Sequence, residues 1–123
     1  MTILEAIVQA DRVRRNELQP ELKLQWLSAL DGQIHRELLT RHRGETVPFE
    51  GYGPDTDTAS TRLLAPFPYD ELYPRYLVMR VDLEQGELER YNNDAALFNR
   101  LWQSFAGDYV HTHLPTGADR LRF

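Results

Sequence analysis

Apolar side chains at Leu88, Tyr91, Ala95, Phe98, Trp102, Phe105 and Tyr109 recur at steps of three and four residues in strict alternation. An α-helix turns once every ~3.6 residues, so these positions form one stripe, widened on one side by Leu101. A strand, with its period of two, cannot gather them on one face. Most of the intervening residues are polar, including Glu89, Arg90, Asn93, Asp94, Asn99, Arg100, Gln103 and Asp108. The helix is therefore wet on one side and must be packed on the other. Burying the stripe contributes about 1.5–3 kcal/mol per large side chain, whereas an isolated helix of this length is marginal in water. The rest of the chain has to supply the opposing wall.

A chain of 123 residues, 41 % hydrophobic and holding two Trp, six Tyr and five Phe, has material for one ordinary core. It contains no cysteine, which excludes disulfides, cysteine-ligated zinc, iron–sulfur clusters and thiol nucleophiles. No apolar run approaches the roughly 18–20 residues that span a bilayer, and the first residues lack the basic-then-apolar pattern of a signal peptide. A cytoplasmic protein without a membrane partner is expected. The net charge of −5 is uneven: residues 1–43 carry +1 and residues 44–123 carry −6. Clustered Lys and Arg, which dominate nucleic-acid binding, are not the pattern here. An acidic surface serves solubility, and it can also form a wall past which a polyanion slides unheld.

The remaining helices are read from caps and spacing. Thr2-Ile3-Leu4-Glu5 is a capping box, predicting a helix over residues 3–14 with Ile3, Leu4, Ile7 and Val8 as its apolar face. Arg12, Arg14 and Arg15 load its C-terminal end, where the helix dipole favours cations. Pro20 suits a first helical turn, and Leu22, Trp26, Leu27, Leu30, Ile34 and Leu38 continue at helical spacing, predicting a second helix over 20–43. Gly32 in its middle points to close packing or a slight bend. Arg41, His42, Arg43 and Gly44 are suitable chemistry for its end.

Residues 44–61 read GETVPFEGYGPDTDTAST, with three Gly, two Pro, four acids and no base. This is a long acidic loop, a feature that in a small domain is usually functional or disordered. Extended pieces at 46–49 and 61–65 flank it and could pair as a short β-ribbon. Pro66-Phe67-Pro68-Tyr69 is an extended entry, and Pro74 requires an irregular turn at 69–73 before a regular third helix to about Glu84. Gln85-Gly86 is the break before the fourth helix, which ends near His113 because Leu114-Pro115-Thr116-Gly117 cannot continue it. The expectation is an all-α, four-helix domain over residues 1–115 with a mobile tail at 116–123.

Side chains capable of chemistry are sparse. His35 and His42 lie about 10 Å apart along one helix, and His111 and His113 point to different faces, so no native metal site is expected. Glu84 and Glu87 form one E-x-x-E, the half-motif of Mg²⁺-dependent all-helical nucleotide hydrolases, but no second acidic pair repeats the spacing. No Gly-rich phosphate loop precedes a Lys-Ser/Thr, and Ser28, Ser60 and Ser104 have no nucleophile context. Tyr52, Phe67, Tyr69 and Tyr73 give residues 50–73 the composition of an interaction surface or of a lid over the core. Asn92-Asn93, poor helix formers in mid-helix, suggest side-chain hydrogen bonds to a neighbouring loop. The candidate interaction surface thus comprises Tyr52, Asp55, Asp57, Phe67, Tyr69, Tyr73, Asn92 and Asn93.

The order W-L-S-A-L at residues 26–30, I-H-R-E-L-L, L-L-A-P-F-P-Y-D-E-L-Y at 63–73, E-R-Y-N-N-D-A-A-L-F-N at 89–99 and H-L-P at 113–115 resembles the head-tail connector, or head-completion adaptor, proteins of phages and prophages. The resemblance runs from about Ile3 to Pro115 and leaves out the loop at 44–61 and the tail. It implies a compact helical structural protein without enzymatic activity or cofactor. It also implies assembly as a homo-oligomeric ring beneath a portal protein, in contact with tail-side or head-completion proteins. The ring would extend a channel through which DNA passes without specific binding, and the protein would be a virion component once assembled. Two other readings stay open: a small helical regulatory or antitoxin-like binding protein, and a Mg²⁺-dependent nucleotide hydrolase using Glu84 and Glu87.

Overall fold

The computed structural model of the protein describes residues 1–39 and 48–112. Its elements are α1 (Ile3–Val13), α2 (Pro20–Ile34) continued by a π-helical turn (His35–Leu39), a 3-10 turn (Tyr69–Glu71), α3 (Leu72–Glu84) and α4 (Leu88–Thr112). The domain is all-α with four helices, and no strand forms among the described residues. The expected end of the second helix at 40–43, the loop residues 44–47, His42, His113 and the tail lie outside the described residues.

α1 begins as its sequence predicts. Thr2 Oγ1 accepts from the Glu5 N–H at 3.2 Å, and a Glu5 carboxylate oxygen accepts from the Thr2 N–H at 2.8 Å. That bond holds the Glu5 carboxyl below its ordinary range. The remaining free donors of the first turn are met by the long loop: Ile3 N–H donates to the Thr61 carbonyl and Leu4 N–H to that of Thr58. Leu63 N–H donates in turn to the Met1 carbonyl, so residues 61–63 pair with the chain start through an antiparallel bridge at Thr2 and Arg62. The extended segment at 61–65 thus finds a partner at the head of α1; of the possible ribbon partner at 46–49, residues 46–47 lie outside the described residues.

α3 and α4 share the most extensive helix pairing, and α1 also packs on α3. The core is built from Ile3, Ala6, Ile7 and Ala10 of α1, Trp26, Leu27, Leu30 and Ile34 of α2, and Leu72, Tyr73, Leu77, Val78 and Val81 of α3. α4 closes it with Phe98, Phe105 and Tyr109 buried and Tyr91, Ala95 and Trp102 half-buried. The first residue of the stripe departs from expectation: Leu88, which opens α4 just after the Gly86 turn, is 61 % exposed. Gly86, with φ +73, turns the chain between α3 and α4, and Glu87 N–H donates to the Asp82 carbonyl at 2.9 Å. A Cβ added at Gly32 would meet the Phe49 ring at 3.8 Å, an ordinary van der Waals contact, so packing at that point of α2 does not require glycine.

Candidate protein interaction site

The loop after residue 47 and the entry into α3 are fastened by one carboxylate. Asp31, fully buried on α2, accepts hydrogen bonds from the Tyr52 hydroxyl, from the Tyr73 hydroxyl at 2.5 Å and from the Leu64 N–H at 3.1 Å. Tyr73 Oη also accepts from the Ala65 N–H at 2.6 Å. Three segments far apart in sequence therefore meet at one acid. Burial pushes the Asp31 carboxyl above its ordinary value, opposed by the donors from Tyr52, Tyr73 and Leu64. Burial first, and then the charge of Asp31, push both tyrosine hydroxyls up, so they remain donors. Tyr52 is further set by its own N–H, which donates to Ser28 Oγ at 3.0 Å, and by edge contact with Phe49 at 5.3 Å between centroids.

Downstream of this anchor comes Pro66-Phe67-Pro68, with the Tyr69 N–H donating to the Pro66 carbonyl at 2.8 Å. Tyr69 is tied to α4 on the far side: its ring meets Phe105 at 5.4 Å between centroids and its hydroxyl donates to Asp108. Asp70 lies 3.3 Å from the Met1 amino group. Between these fixed points Phe67 stands 86 % exposed. The ring is thus available for contact with another molecule, on a segment held at both ends.

The candidate surface residues separate accordingly. Phe67, Asp55 and Asp57 are at the surface. Asp57 is engaged within its turn, accepting from the Ala59 N–H and the Ser60 hydroxyl. Tyr52 and Tyr69 are half-buried and serve the anchors just described. Tyr73 is completely buried and is no part of any surface, a correction that follows from its bond to Asp31. Asn92 and Asn93 are exposed on the outer face of α4 and make no side-chain hydrogen bond to a loop among the described residues.

Two further buried ionic groups escape the sequence reading. Arg14, just past α1, places Nε 2.9 Å from Asp82 Oδ1 of α3 and Nη2 3.5 Å from Asp94 Oδ2 of α4. One guanidinium thus serves two carboxylates and joins three helices. Burial first, and the neighbouring Asp82 carboxylate, push the Asp94 carboxyl up to about 6, against the pull of Arg14. Lys23, buried on α2, places Nζ 2.9 and 3.1 Å from the two Asp11 oxygens. The legible signal was position. Lys23, Asp31 and Asp82 occupy helical spacings otherwise filled by Leu27, Leu30, Ile34 and Val78.

Among the described residues no group of three or more His, Asp or Glu converges to hold a metal, and Glu84 and Glu87 are exposed at the α3–α4 corner. No helix among these residues is long and apolar enough to cross a membrane. Comparison of the chain with family models, with curated proteins and with solved structures gives no match.

Proposed function

We propose that the protein is a structural head-tail connector, or head-completion adaptor, of a tailed phage or prophage. In this role it docks on a neighbouring virion protein through the edge that presents Phe67. The observation that supports this reading most is the asymmetry within residues 63–73, the block that carries the resemblance. Leu63, Ala65, Leu72 and Tyr73 are buried, Leu64 and Ala65 donate into the Asp31–Tyr73 pair, and Tyr69 is tied to α4. Phe67 alone among the aromatics of the block is left to solvent. Interface anchors are commonly large aromatic side chains, and a contact residue fixed before docking loses less entropy on binding.

The charge balance is compatible with this role. A channel wall must not grip DNA, and residues 44–123 carry −6. The buried Asp31, Asp82 and Lys23 are occupied by internal partners, which fits a scaffold. On this reading the partners are a portal protein and tail-side or head-completion proteins, the assembled form is a ring, and no enzymatic step is required. A regulatory protein with one partner would use the same Phe67 edge, so the identity of the partner separates the two readings. The test is negative-stain imaging of the protein mixed with the portal protein encoded nearest to it. A collar of density added to the portal is expected; failure to bind it or any adjacent head or tail protein would overturn the proposal.

A further inference from the structure

Two surface features carry charged side chains with no ion-pair partner among the described residues. The first is a groove of about 410 Å³ at the end of α1, lined by Val8, Asp11, Arg12, Arg15 and Asn16. The Asp11 charge is already held by Lys23. Arg12 and Arg15 are exposed and have no ion-pair partner among the described residues. The groove is therefore basic at its rim, and the exposed Val8 and Leu4, one turn apart on α1, supply an apolar strip beside it.

The second feature is the corner between α3 and α4. Leu83 and Leu88 are exposed there, Leu88 by 61 %, on either side of the Gly86 turn. Glu84 and Glu87 beside them are exposed and have no ion-pair partner among the described residues. Backbone bonds from Gly86 to the Leu83 carbonyl and from Glu87 to that of Asp82 set the corner's shape. It projects leucine flanked by acid, where the groove offers valine and leucine flanked by arginine.

We infer that the α3–α4 corner of one copy seats in the α1 groove of a second copy. Leu88 packs on Val8 and Leu4, and Glu84 and Glu87 face Arg12 and Arg15. The complementarity in both apolarity and charge selects a second copy as the occupant, because every chain carries both halves. Apolar contact supplies the attraction, and the charges steer the approach and fix its register. The contact joins two different surfaces, the kind that repeats and closes into a ring when the rotation between copies allows. It deepens the connector reading, and only the expectation of a closed ring rests on that reading.

The test is sedimentation velocity of the full chain over a range of concentrations at low and moderate salt. The wild type is expected to self-associate, less so as salt screens the charges. R12E/R15E and E84K/E87K alter exposed side chains without internal ion-pair partners; both should stay folded, with melting temperatures lowered only by the small helix-end charge effects at residues 12, 15 and 87, and both should lose self-association. Like charges then face each other across the contact. Mixing the two variants should restore association, since each supplies the half that the other lacks. E50K/D55K, which changes net charge as E84K/E87K does but away from the corner, should associate like the wild type.

A wild type that stays monomeric at every concentration in low salt overturns the inference, and so does a mixture no better associated than its components. Self-association indifferent to all the swaps places the interface elsewhere and leaves the connector reading standing. Assembly that obeys the swaps but stops at a reciprocal dimer upholds the contact and counts against the ring. Binding of an unrelated protein to the groove, without self-association, also overturns it.

Discussion

The Tyr73 hydroxyl donates to Asp31 at 2.5 Å while accepting the Ala65 N–H at 2.6 Å, so one phenol fixes α3 to α2 and sets the start of the Phe67 edge. Replacing Tyr73 with Phe removes a donor from a buried carboxylate and an acceptor from a buried N–H. Each unmet buried group costs about 1–3 kcal/mol. Y73F should therefore lower the unfolding free energy by about 2 kcal/mol in denaturant titration, and Y52F by less, because Tyr52 is only half-buried. Equal and negligible losses would contradict the described anchor.

The glycine before Tyr52 provides an independent check on the same anchor. Gly51 has φ +86, and a Cβ there would lie 2.6 Å from Ser28 Oγ, the acceptor for the Tyr52 N–H. Gly86 has φ +73 but open space around it. A left-handed backbone costs a non-glycine residue about 1–2 kcal/mol. G86A should show that cost alone, whereas G51A should exceed it and displace Tyr52, which a shift in tyrosine fluorescence or amide exchange at residues 51–53 would report.

Asp94 gives a pH dependence with a definite sign. Its carboxyl titrates near 6 in the folded protein against an ordinary value of 3.8. Between these values the folded chain holds a proton that the unfolded chain has released, so this group's contribution to stability grows as pH falls through 6 and levels off below about 4. With both carboxylates ionised, Arg14 balances only one of two negative charges. NMR titration of the Asp94 carboxyl should give a midpoint near 6 in the wild type and a lower one in D82N, where the neighbouring charge is gone. A midpoint unmoved by D82N would contradict the shared cluster.

Breaking the Arg14 cluster should also cost stability. Asp82 is fully buried, and removing one member of a buried ion pair typically costs about 3–5 kcal/mol because the other charge is left uncompensated. R14M should fall at the lower end, about 3 kcal/mol, since the Arg14 side chain is 25 % exposed and one of its partners, Asp94, can take up a proton. It should raise the Asp94 midpoint further. A loss of stability without that rise would locate the role of Arg14 in packing alone.

The helices were legible because their signals are local. The Thr2–Glu5 capping box, Pro20 at a first turn, the irregular entry before Leu72, the Gly86 break and the stripe of α4 each concern residues within a turn or two of one another. The pairing of residues 61–63 with the chain start was not legible, because it joins positions some sixty residues apart that share no pattern. Tyr73 looked like a surface aromatic since it ends the aromatic series Tyr52, Phe67, Tyr69 at a loop-to-helix entry; only its distant partner Asp31 shows why it is buried. Asp31, Lys23 and Asp82 did leave a trace, as charges at core-facing helical positions. That trace marks a buried pair without naming the partner.

The role of the Phe67 edge is tested most directly by titrating the portal protein with the wild type and with F67A. Phe67 is 86 % exposed and has no packing to lose, so F67A should melt with the wild type while binding the portal about thirtyfold more weakly, the loss of a ~2 kcal/mol interface anchor. Undiminished affinity of F67A for the portal would contradict the assignment of this edge as the docking site.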